Sequence, residues 1–439
     1  MTTGYFIDFL VFWGVWLLVP LLIDGLTTLV TLAGVLVMRV RRRRRQRALV
    51  YEPFISIVVP VYNSSRTLEA CLRSIAAQDY PHHAMEVILI NNGSTDNSFD
   101  IFVRLKMELD LPLSWHSIMN QGKAWALNAG IYLSHGLYIF NVDSDVVLAP
   151  DAIRRVVEVM EAELDLAAVT GAIQVLPPPP DASITARLLA ECEFFEYLTA
   201  FHVGREQQTL LQNLYTLSGA FSVFRREVLL QTFLYSQETV TEDTDLTLEI
   251  YERFSHLRVG CISEAIVYVH AIESLSALYA QRVRWQRGQL EVSARHKPLM
   301  RRSMWRPRGL SLSRILLVDH TLAFPRLVWT FLLPILALFG YPLSVIVQAG
   351  LALYGFYLLV DLFWTVVAWI GAGHIARWRM KHLWWLLPLM PAYRMLIFWF
   401  RLSGFLHALA EPGTWRVQEP IQQMRSGWRD LRRRMRLDW

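Results

Sequence analysis

The chain has 439 residues, 54% of them hydrophobic and 18% charged, with a formal net charge of +5. That balance is too apolar for an ordinary soluble domain. Its basic residues gather in runs, Arg41–Arg45 and Arg432–Arg434, that flank or follow membrane-length apolar segments; lipid headgroups account for them, and nucleic acid is not an expected partner.

Tyr5–Met38 is apolar apart from Asp8 and Asp24. A spanning helix takes roughly 20 residues, so this stretch is long for one span and short for two. Pro20 and Asp24-Gly25 allow a kink, and the reading is one crossing preceded by an interfacial turn, stopped by Arg39–Arg47. With no positive start and no small-residue cleavage site, it is not a secretory signal. The arginines place the following domain in the cytosol. Cys71, Cys192 and Cys261 form neither a metal-type doublet nor an even disulfide framework, which fits a reducing compartment.

From Phe54 to about His270 the composition is that of a soluble α/β domain. Ile55–Pro60, Glu86–Asn91 and Leu137–Asp143 read as strands, and Arg66–Ala77 and Lys123–Leu133 as helices, an alternation that predicts a parallel, doubly wound sheet. Ligands of such sheets sit beyond the carboxyl ends of the strands. There the sequence places V-P-V-Y-N (Val59–Asn63), N-N-G-S-T-D (Asn91–Asp96) and D-S-D (Asp143–Asp145). Residues two apart on a strand point the same way, so Asp143 and Asp145 can converge on one hard divalent cation beside a diphosphate; alone, the pair reads as two solvated acids.

Pro177–Pro180 breaks the domain, and Ser183–Phe201 reads as an aromatic-rich helix. Leu217–Arg226 is a Gly-bearing loop running into a strand, and Thr241–Asp245, T-E-D-T-D, opens a helix. Tyr279–Gly288 holds Q-R-V-R-W, which alone is an amphipathic interfacial helix with snorkelling arginines. Leu322–Phe339, Leu343–Ile370 and Leu383–Phe405 are apolar, and the basic link Gly371–His382 is expected in the cytosol. Three crossings would leave the Arg-rich tail outside, which is avoided if Met390–Leu409, holding Arg394 and Arg401, lies in the interface. The 16 tryptophans concentrate near these segments, as interfacial anchors do. Arg326, Asp361 and Arg394 are intramembrane ionisable residues that either line a cavity or pair, Asp361 with Arg326.

V-P-V-Y-N, N-N-G-S-T-D, G-K-A-x-A-L-N (Gly122–Asn128), D-S-D, T-E-D (Thr241–Asp243) and Q-R-V-R-W (Gln281–Trp285) come one after another in the order seen in membrane-bound processive family 2 glycosyltransferases, which the chain resembles over Phe54–Arg308. That family includes poly-N-acetylglucosamine, cellulose and hyaluronan synthases; the chain also looks like its exosortase-associated bacterial members. The resemblance implies a glycosyltransferase-A-type, Rossmann-like cytosolic domain between N- and C-terminal transmembrane helices: residues 1–47 an anchor, 48–308 catalytic, 309–410 membrane or interfacial, and 411–439 a basic cytosolic tail.

It further implies a multi-pass enzyme of the bacterial inner membrane, inverting and processive, that extends a glycan from a UDP-sugar and moves it outward, with accessory secretion subunits as a further partner class. Asp143 and Asp145 would hold Mg²⁺ or Mn²⁺. Pro60, Tyr62, Asn92, Asp96, Lys123, Asp143 and Arg284 would bind the nucleotide sugar. Asp243 would be the base, supported by Glu242, while Gly219, Gln281 and Trp285 would meet the acceptor. The chain departs from the pattern at Asn91-Asn92, where many members carry Asp, and at Ser64, where Glu often stands; an amide oxygen can still accept the uracil N–H. Two further readings stay open: transfer of a single sugar to a membrane lipid, and a non-catalytic scaffold on a transferase fold.

Overall fold

The computed structural model describes residues 21–45, 49–119, 122–303, 309–316 and 332–410. The expectations for residues 1–20, Arg326, residues 322–331 and the tail 411–439 lie outside them.

Strand β1 (Ile55–Val61) is buried at every position, as the β-branched run I-S-I-V-V-P-V requires of a strand covered on both faces. Helix α1 (Leu26–Arg45) precedes it, and α2 (Leu68–Ala76) comes next, burying Leu68, Cys71, Leu72 and Ile75 on one face. Then come β2 (Met85–Asn91), α3 (Ser98–Glu108), β3 (Leu113–Ser117), α4 (Lys123–Leu133), β4 (Tyr138–Val142), β5 (Val147–Leu148), α5 (Ala152–Ala162) and β6 (Leu166–Val175). Helix α6 (Ile184–Tyr197) passes into a π-helical segment, Leu198–Gly204, and α7 (Arg205–Leu210). The domain closes with β7 (Phe221–Arg225), α8 (Glu242–Arg253), β8 (Arg258–Val269) and α9 (Leu275–Arg295).

The sheet has the order β3-β2-β1-β4-β7-β6-β8-β5. Strands β3, β2, β1 and β4 are parallel, as expected, but β7 runs antiparallel to both β4 and β6. Because Phe221 pairs with Val142, the reversed strand begins at the carboxyl end of β4. The Gly219 loop is therefore delivered to the same edge as the D-S-D turn.

Among the described residues one helix, α10 (Leu343–Gly371), is by itself long and apolar enough to cross a membrane. Helices α11 (His374–His382) and α12 (Met390–Ala410) belong to a pair bent by 69° that passes the same test together. Arg39 does not stop α1, which runs on to Arg45; its guanidinium turns inward onto Glu206 of α7 at 2.7 Å and onto the Val367 carbonyl of α10 at 3.0 Å. Asp361 of α10 pairs with Arg394 of α12. Arg379 of the basic link pairs with Glu191 of α6 at 2.7 Å, so the link lies against the catalytic domain. Arg401 donates to Gln286 at 3.0 Å, docking α12 along α9. The three cysteines are free and buried.

Candidate active site

The loops beyond β1 and β2 are tied together by their own polar groups. The Ser65 N–H donates to Oδ2 of Asp96 at 2.8 Å, and the Ser98 hydroxyl to Oδ1 at 2.6 Å. The Thr95 N–H donates to Oδ1 of Asn63 at 2.9 Å. Burial works against ionisation of Asp96, but these donors outweigh it and hold the carboxyl down at about 2. Asp96 is thus a clamp between two loops. The Oδ1 of Asn92 accepts the Gly122 N–H at 2.7 Å, which ties this loop to the start of α4 and leaves the oxygen a second lone pair for another donor. Pro60 is buried at the end of β1, whereas Tyr62 stands exposed just beyond it.

β4 ends at Val142, so Asp143–Val146 is a turn, closed by the Val146 N–H on the Asp143 carbonyl at 3.1 Å. Strand alternation therefore does not govern the two carboxylates. Asp143 is partly buried and Asp145 exposed, and the turn, not the pleat, sets how they stand to each other. The Ser144 hydroxyl between them shares a 2.6 Å hydrogen bond with Ser64, which ties the D-S-D turn to the first loop. Nothing in the spacing of Ser64 and Ser144 signals this contact.

Lys123, at the start of α4, lies 2.6 Å from Asp143. Burial raises Asp143 to about 6, with Asp145 and Asp243 pushing the same way and Lys123 opposing. For Lys123, burial disfavours the charge, but Asp143 and Glu242 outweigh it and the ammonium is held firmly. Glu242, buried at the start of α8, is raised to about 7, chiefly by burial.

Asp243, one residue on, has both oxygens on backbone donors: Gly219 N–H at 3.0 Å and Thr244 N–H at 2.7 Å. A Cβ on Gly219 would stand 3.3 Å from Oδ2 of Asp243 and 3.4 Å from Nζ of Lys123. Glycine here lets the backbone close up on both groups.

The Q-R-V-R-W helix α9 reaches this centre through Gly288. A Cβ there would lie 2.3 Å from Cγ2 of Thr241, so the missing side chain lets α9 rest directly on the residue before Glu242. Trp285, half-buried, meets Phe201 edge-on with centroids 6.0 Å apart, and Arg282 lies over its ring at 4.6 Å. Arg282 therefore covers one indole face. Arg284 is half-buried, and Oε1 of Gln281 is buried without a hydrogen-bond partner. Asp245, read as a helix-start acid, accepts from His296 at 3.1 Å; no sequence signal marks His296.

Residues 56–233 match the Glycosyl transferase family 2 profile. Over those residues the chain is similar to glycosyl transferase family 2. Poly-beta-1,6-N-acetyl-D-glucosamine synthase of Staphylococcus epidermidis is 29% identical over 241 residues, 55% of this chain and 56% of that enzyme. The enzyme of the same name from Staphylococcus aureus strain COL is 28% identical over the same shares. The chain thus spans a little over half the length of the curated relatives it matches. A solved structure, the mannosyltransferase PcManGT from Pyrobaculum calidifontis in complex with GDP-Man and Mn²⁺, superposes with a TM-score of 0.55 at 17% identity, covering 88% of this chain and 98% of that one. At that identity the likeness is one of fold, and the fold is of the glycosyltransferase-A type.

Proposed function

We propose that this family 2 chain polymerises a UDP-sugar into an exopolysaccharide, inverting the anomeric carbon, and passes the product to its own membrane helices. The observation that carries the reading is the meeting of three parts at one edge. They are the Asp143–Lys123 pair, the Asp243 carboxylate fixed by Gly219, and the Q-R-V-R-W helix resting on Thr241. N-acetylglucosamine, the sugar in the relatives' names, is the first monomer to test.

Chemically, Asp243 takes the proton of the acceptor hydroxyl as that oxygen attacks the anomeric carbon, the bond to the diphosphate breaks, and its electron pair leaves with the nucleotide. Backbone N–H donors on both Asp243 oxygens fix its orientation before substrate arrives, the geometric demand on a general base. Lys123 provides a fixed positive charge at the diphosphate side. Among the described residues no group of three or more metal-ligating side chains exists. Asp143 and Asp145 are the carboxylates that would hold Mg²⁺ or Mn²⁺ beside the substrate's diphosphate. Such an ion, when bound, would supply Lewis-acid stabilisation of the leaving diphosphate. Trp285 would meet the terminal sugar of the acceptor with its indole, and Arg284 would face the diphosphate.

The placement of the basic link, with Arg379 on Glu191, supports a cytosolic catalytic domain and an out-and-back course for the apolar segments before the link. The test is UDP release by the purified protein in lipid vesicles, over a panel of UDP-sugars with Mg²⁺ or Mn²⁺ and Asp243→Asn as control. Release abolished by the substitution and accompanied by a ladder of products supports the synthase. A single-sugar lipid product would replace it with a lipid transferase, and no turnover of any sugar would leave the scaffold.

A further inference from the structure

Arg205 opens α7 directly after the π-helical segment, a backbone irregularity often found at functional sites. Its side chain is buried, with 6% of the residue exposed. Among the described residues three of the four other buried arginines are matched by oxygen atoms. Arg282 pairs with Glu196 at 2.8 Å and Arg379 with Glu191 at 2.7 Å, while Arg225 donates to the Leu166 carbonyl at 2.7 Å. Arg205 has no such match: Nη1 is buried without a hydrogen-bond partner, and the contact it makes is with the Phe201 ring, 4.7 Å from the guanidinium carbon. The carboxylate that acts on it, Asp243, and that of its chain neighbour Glu206 are already used. Glu206 takes Arg39 and the Ser263 hydroxyl, and Asp243 takes Gly219 and Thr244. Burial, the largest influence on the group, pushes the guanidinium pKa down.

A buried cation left without an anion is costly unless something supplies one. The position says which substrate would supply it. Phe201, under the guanidinium, meets Trp285 edge-on, whereas the donor side already has its cation in Lys123 on Asp143. Arg205 thus stands one aromatic ring away from the acceptor platform. We propose that Arg205 is an anion receptor of the acceptor subsite, and that the glycan held there carries a carboxylate, as a uronic acid does. The inference rests on the glycosyltransferase reading and deepens it, since it names the class of sugar at the growing end.

The test uses the full chain in lipid nanodiscs with UDP and Mn²⁺ present. A tetrasaccharide of alternating glucuronate and N-acetylglucosamine is titrated by calorimetry beside its methyl ester, which keeps the shape and removes the charge. The expected result is at least tenfold tighter binding of the acid form, with Arg205→Gln abolishing the difference and Arg205→Lys keeping part of it. Equal binding of acid and ester by the native protein, binding of neither, or a preference that persists in Arg205→Gln overturns the proposal. The ester comparison needs no variant, so it decides even if Arg205→Gln does not fold. UDP binding measured in the same preparation separates the two levels. If UDP binds and the acid preference is absent, the Arg205 assignment alone fails; if UDP does not bind, the transferase reading fails with it.

Discussion

The backbone N–H of Gly219 lies 3.0 Å from Oδ2 of Asp243, and the space a Cβ would take at Gly219 is bounded by Asp243 on one side and Lys123 on the other. A single glycine therefore sets the distance between the group proposed to receive a proton and the charge at the donor site. Gly219→Ala puts a methyl group 3.3 Å from the carboxylate oxygen, tighter than ordinary contact. We expect turnover to fall by about tenfold to a hundredfold, because sub-ångström displacement of a catalytic group costs on that scale. The melting temperature should hardly change. Paired kcat and thermal-melt measurements on the variant check this.

Gly288 performs the same service for packing. A Cβ there would overlap Cγ2 of Thr241 at 2.3 Å, and overpacking of this kind costs about 1–3 kcal/mol. Gly288→Ala should destabilise the protein on that order. Thr241→Ala in the same chain removes the obstructing atoms and should return much of the loss. A double-mutant cycle showing purely additive effects would count against direct contact.

His296 sits between two carboxylates, Asp245 and Glu252, each 3.1 Å away. Burial disfavours its charge, but the hydrogen bonds to these carboxylates outweigh it and raise the pKa above 6.5. The raised folded value means that its stabilising contribution is complete below the unfolded pKa, near 6.5, and is lost as pH rises through the folded value. Thermal melts of the native chain and His296→Asn should therefore differ most near pH 6 and converge toward pH 9. A constant difference would show that the charge does not matter.

Asp361 of α10 is buried against Arg394 of α12, whose side chain also donates to Thr199 at 3.2 Å. Removing one partner of a buried pair leaves the other uncompensated and costs about 3 kcal/mol or more. Arg394→Met should be more destabilising than Asp361→Asn with Arg394→Met together. Unfolding in mixed detergent micelles, comparing the single and double variants, reads the order directly.

The sequence makes the donor half legible because its strands are continuous apolar runs ending in short polar motifs. Periodicity and turn chemistry then place β1, β2 and β4 and the loops after them. Helix α8 and the start of α9 are equally visible, since T-E-D-T-D and Q-R-V-R-W mark a helix start and a helix face. The features that are not legible depend on pairing across long separations. The antiparallel course of β7 is decided by which strand it meets, and no property of F-S-V-F-R distinguishes the two directions. Arg39, which turns inward onto Glu206, reads as a membrane stop in the sequence because five arginines stand close behind it. The engagement of Asn92 by Gly122, and the pairing of Asp361 with Arg394, likewise require the fold.

The reversal of β7 also divides the labour of the chain. The donor loops lie at the ends of parallel strands and are complete by the D-S-D turn. The side proposed to hold the acceptor follows, in the segment between β6 and β7 and in α8 and α9. The two halves are contiguous blocks that meet at Gly219. Natural variation or a designed exchange confined to the segment 176–217 can thus alter which glycan is held, while the nucleotide-sugar loops keep their own supports. On the proposed function, specificity is in this sense modular along the chain.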